Sequence, residues 1–74
     1  MYDMIYLVLK MVDLSNAAQV DRTIRNLELL LEDIVPDIYF CRQKNEYLTW
    51  TIKSLSRGGE LCKVIIGRSG FEII

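Results

Sequence analysis

One strong helical pattern in a chain of 74 residues limits what this protein can fold into. From Asn16 to Ile34, apolar side chains recur at spacings of three and four residues, which places them on one stripe of an α-helix. Asn16 followed by Gln19 fits a capping box, with Ser15 as an alternative cap, and Pro36 predicts the end of the helix. One helix can cover only one face of a sheet, so a second face is left for water or a partner. The stripe consists of Ala17, Val20, Ile24, Leu27, Leu31 and Ile34.

The segment before this helix has the composition of a β-strand. Met4–Val12 is an apolar run that only Lys10 interrupts, and such a run is typical of a strand contacted on both faces. Its odd-numbered residues are uniformly aliphatic, so we expect them to face the core. These are Ile5, Leu7, Leu9 and Met11.

Two β-hairpins are predicted after the helix. Their strands flank turns at Lys44–Glu46 and Arg57–Gly59, and Phe71–Ile74 predicts a short final strand or a docking tail. Loops of three residues place Phe40 opposite Trp50 in the first hairpin and Trp50 opposite Ile66 in the second. A slip of one residue would turn every side chain to the other face. Gly59 is then expected in the left-handed position of a G1 bulge. The core face becomes Ile38, Phe40, Leu48, Trp50, Ile52, Cys62, Val64 and Ile66.

These elements predict a single α+β domain over residues 1–74. A single helix packs on one face of a three- to five-stranded, mostly antiparallel sheet, in the order β-α-β-β-β with or without a fifth strand. This order resembles half of a ferredoxin-like unit with an extended meander, a resemblance of architecture that implies no function.

The sheet face opposite the helix is the candidate site for binding a partner. Alternation along the strands places aromatic, aliphatic and lysine side chains there together. Such a mixture is too apolar to be typical of a surface that meets only water. The predicted partner-binding residues are Tyr6, Val8, Lys10, Tyr39, Cys41, Tyr47, Lys53, Leu61, Lys63 and Ile65.

Four interpretations of this face compete. In the first interpretation it is an ordinary solvent-exposed face, since threonine, tyrosine and lysine are common on such faces. It is a protein contact, first as a homodimer and otherwise with a different protein, as in an accessory, regulatory or inhibitory module. It is a platform for single-stranded nucleic acid, on which tyrosines stack and lysines offset phosphate charge. The fourth interpretation places a small apolar ligand between sheet and helix, which requires a cavity this chain could barely enclose. The net charge of −1 and the aliphatic side chains favour protein over nucleic acid.

No residue pattern indicates catalysis, a cofactor or a metal. The chain has no histidine, and its glycines lie in predicted hairpin turns without a following helix. Cys41 and Cys62 are expected on opposite sheet faces as free thiols. Asp21 is expected to pair with Arg25, and the acidic residues from Glu28 to Asp33 to form a solvated helix side. We therefore expect a protein that is not an enzyme.

The N-terminal sequence lacks the basic start and the cleavage site of a signal peptide. Its apolar run is also shorter than the roughly 20 residues needed to span a bilayer. These features predict a cytoplasmic protein. Its small size and lack of motifs are typical of phage, plasmid or viral accessory proteins.

Overall fold

The chain forms two helices followed by a four-stranded antiparallel sheet, as seen in a computed structural model that describes residues 2–74. The α+β class is confirmed, but the order is α-α-β-β-β-β, so the predicted β-α-β order and single helix are wrong. No helix within residues 2–74 is long and apolar enough to cross a membrane. The elements are α1 (Tyr2–Lys10), α2 (Ala17–Ile34), β1 (Ile38–Lys44), β2 (Leu48–Ser54), β3 (Gly59–Ile66) and β4 (Phe71–Ile73), with a 3-10 turn at Leu55–Arg57 between β2 and β3.

Helix α1 replaces the strand predicted over Met4–Val12. Ile5 and Leu9 are fully buried, but Leu7 and Met11 of the same odd-numbered set are 61% and 87% exposed. The spacing of four between Ile5 and Leu9 fits a helix as well as a strand, and a short apolar run does not distinguish the two. The helical stripe that packs on the core is Met4, Ile5, Val8 and Leu9, and Val12, just beyond the helix, packs there as well.

Helix α2 begins and ends where the sequence predicts, but only half of the capping box forms, because the Gln19 side chain accepts from the Asp13 N–H and not from the Asn16 N–H. The Asn16 side chain accepts a hydrogen bond from the Gln19 backbone N–H at 3.1 Å, which caps the first turn. Val35, which precedes Pro36, has φ −112° and ψ 119°, the extended conformation that a following proline favours. Two stripe residues differ from the prediction, because Ala17 and Ile34 lie at the helix ends and are exposed.

Both hairpins keep the predicted faces but change register by two residues. Phe40 lies opposite Ile52, and Trp50 lies opposite Val64. A shift of two residues preserves the alternation of side chains, so the predicted core face is confirmed. In the second turn the left-handed residue is Gly58, at φ 90° and ψ 13°, and Gly59 also has a positive φ of 107°. The β-bulge lies in β3, where Leu61 is the extra residue opposite the step from Ile52 to Lys53 of β2.

The core lies between the sheet and both helices, which pack on the same sheet face. Trp50, Ile52 and Val64 are fully buried at its centre. Helix α2 lies against β1 and helix α1 against β4. The second helix therefore widens the cover on one face and leaves the other face of the sheet without a layer from residues 2–74. The buried cluster is Ile5, Leu9, Val20, Ile24, Leu27, Leu31, Trp50, Ile52, Cys62, Val64 and Ile66.

Candidate partner-binding surface

The sheet face that points away from both helices is the candidate site, and we call it the open face. Alternate cross-strand rows of the register contribute residues to it, from β1 at one edge to β4 at the other. Backbone hydrogen bonds between Lys63 and Ile74 add one more residue pair to β3 and β4, so Ile74, which follows β4, also lies on this face. The open face consists of Tyr39, Cys41, Gln43, Thr49, Thr51, Lys53, Glu60, Lys63, Ile65, Glu72 and Ile74.

Five of the ten sequence-predicted binding residues lie together on the open face. Tyr39 and Cys41 are exposed on β1, and the side chains of Lys53, Lys63 and Ile65 are half-buried on the neighbouring strands. Their grouping follows from strand alternation alone, which is why the sequence could place them.

The three residues predicted from the first strand are not part of this face, because that segment is helix α1. The Tyr6 ring meets Phe71 edge-on at a centroid distance of 5.5 Å, and the Lys10 ammonium lies 5.5 Å from the Tyr6 ring centroid. Val8 packs against the core on the helix side. Placing Tyr6, Val8 and Lys10 on the open face was therefore wrong.

Two further residues lie at the margin of the predicted site. Tyr47 is in the turn between β1 and β2, and its ring lies so close to Gly67 that a Cβ there would be 3.2 Å from it. Leu61 is the extra residue of the β-bulge, and it packs against the core cluster. The bulge interrupts the alternation on which its placement depended, so assigning Leu61 to the outer face was wrong.

The open face carries both signs of charge. The Lys63 ammonium lies 4.0 Å from the Glu60 carboxylate, and the Lys53 ammonium lies 5.9 Å from the Tyr39 ring centroid. Thr51, in the middle row, is only 8% exposed because its neighbours surround it. With Glu60 and Glu72 offsetting the two lysines, the face is a mixed polar and apolar surface with no net charge.

A buried polar cluster that the sequence did not indicate links α2 to the sheet. Glu28 is only 4% exposed, so its predicted place on a solvated helix side was wrong. It accepts hydrogen bonds from the Trp50 indole N–H at 3.1 Å and from Arg42 at 3.1 Å. Arg42 also pairs with Asp21, which replaces the expected pair of Asp21 with Arg25. A buried tryptophan needs an acceptor for its N–H, and that need was the signal available in the sequence.

This cluster lies on the helix side of β1, opposite the open face. The hydrogen bond and charge of Glu28, together with Asp21, raise the pKa of Arg42, although partial burial acts in the opposite direction. The arginine is therefore held as a cation by two carboxylates. Its charge fixes the edge strand to the helix and is not free for an external anion.

The two cysteines lie on opposite sides of the sheet as free thiols, as predicted. Cys41 is exposed on β1, whereas Cys62 is 1% exposed in the core. Burial, with a smaller contribution from the Glu60 carboxylate, raises the pKa of the Cys62 thiol. Of the two, Cys41 is the thiol that a reagent can reach.

A groove of about 490 Å³ opens between the start of α2 and the turns at one end of the sheet. Arg42, Lys44 and Arg68 line it together with Asp21 and Glu46, so the basic side chains exceed the acidic ones by one, and Arg42 is already paired with Asp21. Among residues 2–74, no three His, Cys, Asp or Glu side chains form a group that could hold a metal ion.

Comparison of the chain with protein-family models, with curated proteins and with solved structures gave no significant match. The surface itself therefore carries the functional argument.

Proposed function

We propose that this protein is a non-enzymatic, homodimeric protein-binding module, acting as an accessory, regulatory or inhibitory protein through its open face. The observation that supports this most directly is that both helices pack on one side of the sheet. The other side is left to solvent or a partner, and a domain of this size gains stability by associating.

The composition of the open face fits a protein partner. Tyr39 offers a stiff aromatic body with a polar tip, and Ile65 and Ile74 add apolar area beside threonines. Lys53 and Lys63 alternate with Glu60 and Glu72, a pattern that another protein surface can match with charges of its own.

Single-stranded nucleic acid is the second candidate, and the geometry favours it less. A stacking platform needs several aromatic rings on one face, together with uncompensated positive charge. Only Tyr39 of the three proposed stacking tyrosines lies on the open face, since Tyr6 is on α1 and Tyr47 is in a turn. The two lysines share the face with two glutamates.

The molar mass in solution tests the homodimer. We expect light scattering to give about twice the 8.6 kDa of one chain at high protein concentration, and a fall towards that value on dilution. If the two copies pack their open faces together, replacing Tyr39 and Ile65 together by Asp should give a folded monomer, because it buries two charges in the contact.

Leu29→Asp is the matched control, because Leu29 is 47% exposed on α2, on the opposite side of the molecule. It should leave the dimer intact. A wild-type protein that remains monomeric at every concentration contradicts the proposal. A dimer that Leu29→Asp disrupts and the double variant does not would place the contact on the helix side. Binding to single-stranded oligonucleotides that weakens steeply with salt would support the second candidate instead.

A further inference from the structure

We propose that two copies of this chain join through the free edge of β1 and form one continuous eight-stranded sheet, with Cys41 opposite its own copy at the two-fold axis. This inference rests on the homodimer of the proposed function and specifies how its two copies meet. The contact is backbone pairing between edge strands, and the two open faces then lie side by side.

The two edges of the sheet differ. The β4 edge is only three residues long, and Phe71 at its start is covered by the Tyr6 ring of α1. The β1 edge is seven residues long, pairs with β2 without a bulge and contains no proline. Within residues 2–74 no further strand pairs with it. A long regular edge of this kind is a template for pairing with another strand.

The hydrogen bonding of the sheet shows which backbone groups β1 presents outward. Lys63 and Ile74 exchange backbone hydrogen bonds of 3.1 and 2.8 Å, so the polar groups of Lys63 point to β4. Alternation then directs those of Val64 and its partner Trp50 towards each other, and those of Thr51 towards Cys41.

The polar backbone groups of Cys41 are therefore used within the chain. Those of the even-numbered residues of β1 point to the free edge. The bond from the Asn45 N–H to the Tyr47 carbonyl, at 3.0 Å, continues the same alternation beyond the strand. The outward donors and acceptors belong to Ile38, Phe40, Arg42 and Lys44.

A dimer with its two-fold axis beside Cys41 pairs all of these outward backbone donors and acceptors with those of the second copy. Cys41 is the middle residue of Ile38–Lys44, so antiparallel pairing about it matches the full strand with its copy. Phe40 then pairs with Arg42 of the second copy, and Ile38 with Lys44, each as a hydrogen-bonded pair. No like charges lie directly opposite, and Arg42 is already neutralised by Asp21 and Glu28.

Other two-fold registers are poorer. Moving the axis to residue 42 sets two arginines directly opposite each other. Moving it to residue 40 carries the strand ends past Ile38 towards Pro36, which has no N–H to donate. The register about Cys41 therefore gives the most hydrogen bonds without opposing charges.

This register makes a prediction about the thiols. Cys41 and its copy form a non-hydrogen-bonded pair, in which Cα atoms are about 4.5 Å apart. That separation lies within the range of about 4.4–6.8 Å that a disulfide spans. Mild oxidation with copper(II)-phenanthroline should therefore convert the native protein to a disulfide-linked dimer, as two thiols lose two protons and give two electrons to the oxidant. Cys62 is buried and remains in every variant.

Moving the thiol along the strand provides matched controls. In a Cys41→Ser background, Gln43→Cys puts a thiol at another exposed position of the same face, but its copy lies about 13 Å away along the strands. That variant alone should not cross-link. Mixed with Cys41→Ser/Tyr39→Cys, it should cross-link as a heterodimer, because residues 39 and 43 are opposite each other in this register.

Amide hydrogen exchange followed by NMR tests the edge pairing in the wild-type protein, without any substitution. Raising the protein concentration should slow exchange at Phe40 and Arg42, whose N–H groups point outward. Exchange at Cys41 and Gln43 should change much less, because their N–H groups already bond to β2.

The outcomes separate this inference from the proposed function. A dimer by light scattering in which Cys41 does not cross-link, or Gln43→Cys alone cross-links as well as Cys41, overturns the edge pairing and leaves the homodimer standing. Ile65→Asp distinguishes the two contacts as well. Ile65 lies two strands from the edge, so its replacement should leave the cross-link unchanged, and loss of the dimer would indicate face-to-face packing. A protein that is monomeric throughout contradicts both.

Discussion

Removing the carboxylate of Glu28 should destabilise this fold more than any substitution of an exposed acidic residue on the same helix. In Glu28→Ala, the fully buried Trp50 N–H loses its acceptor, which costs about 1–3 kcal/mol. Arg42 loses a paired charge, but its side chain is 29% exposed and water replaces part of the interaction, so we assign about 1 kcal/mol. The lost CH₂ contributes about 0.8 kcal/mol.

The expected total loss in the free energy of unfolding for Glu28→Ala is about 3–5 kcal/mol. A chain of 74 residues has a free energy of unfolding of about 4–11 kcal/mol, so the variant lies close to the limit of folding. At an m-value of about 1 kcal/mol/M, the urea midpoint should fall by about 3 M or more. Urea unfolding followed by tryptophan fluorescence, at one fixed protein concentration, measures this shift.

Two further variants show whether loss of the Glu28 hydrogen bonds causes the destabilisation. Glu28→Gln keeps the volume and an oxygen acceptor for Trp50, so it should cost only about 1 kcal/mol. Glu32→Ala removes an exposed carboxylate from the same helix and should change stability by about 0.5 kcal/mol or less. The reasoning is refuted if Glu28→Ala is no more destabilising than Glu32→Ala, or if Glu28→Gln costs as much as Glu28→Ala.

Three other predictions test local features. Asn16→Ala should lower the free energy of unfolding by about 1 kcal/mol in thermal or urea unfolding, because α2 loses its cap, and an unchanged midpoint would contradict the capping role. Gly58→Ala should cost about 1–2 kcal/mol because Gly58 is left-handed, whereas Gly70→Ala, which meets open space without a positive φ, should be close to neutral; equal effects would exclude backbone strain. In the folded protein, iodoacetamide should modify Cys41 much faster than Cys62, whose burial also raises its pKa, and mass spectrometry of peptides showing the reverse order would contradict the assigned faces.

The sequence predicted the parts of this fold in which each residue follows from its neighbours along the chain. The cap at Asn16, the stop before Pro36 and the four central residues of the α2 stripe depend on local geometry, and the structure has them as predicted. The two faces of the hairpins were also predicted correctly, although the register was not, because alternation survives a shift of two residues.

The candidate surface was predicted in part for the same reason. Residues on regular strands, such as Tyr39 and Ile65, were assigned to the correct side. Leu61 was not, because the bulge beside it depends on how β2 and β3 pair.

Only the tertiary structure decided the conformation of the first segment, and with it the number of layers above the sheet. Ile5 and Leu9 satisfy a strand and a helix equally, and the space beside α2 and β4 that a helix fills does not exist until the sheet has formed. The burial of Glu28 has the same origin, since its partners Trp50 and Arg42 come from distant strands. Local geometry is encoded residue by residue, whereas contacts between distant segments are settled by packing and by the need to satisfy buried polar groups.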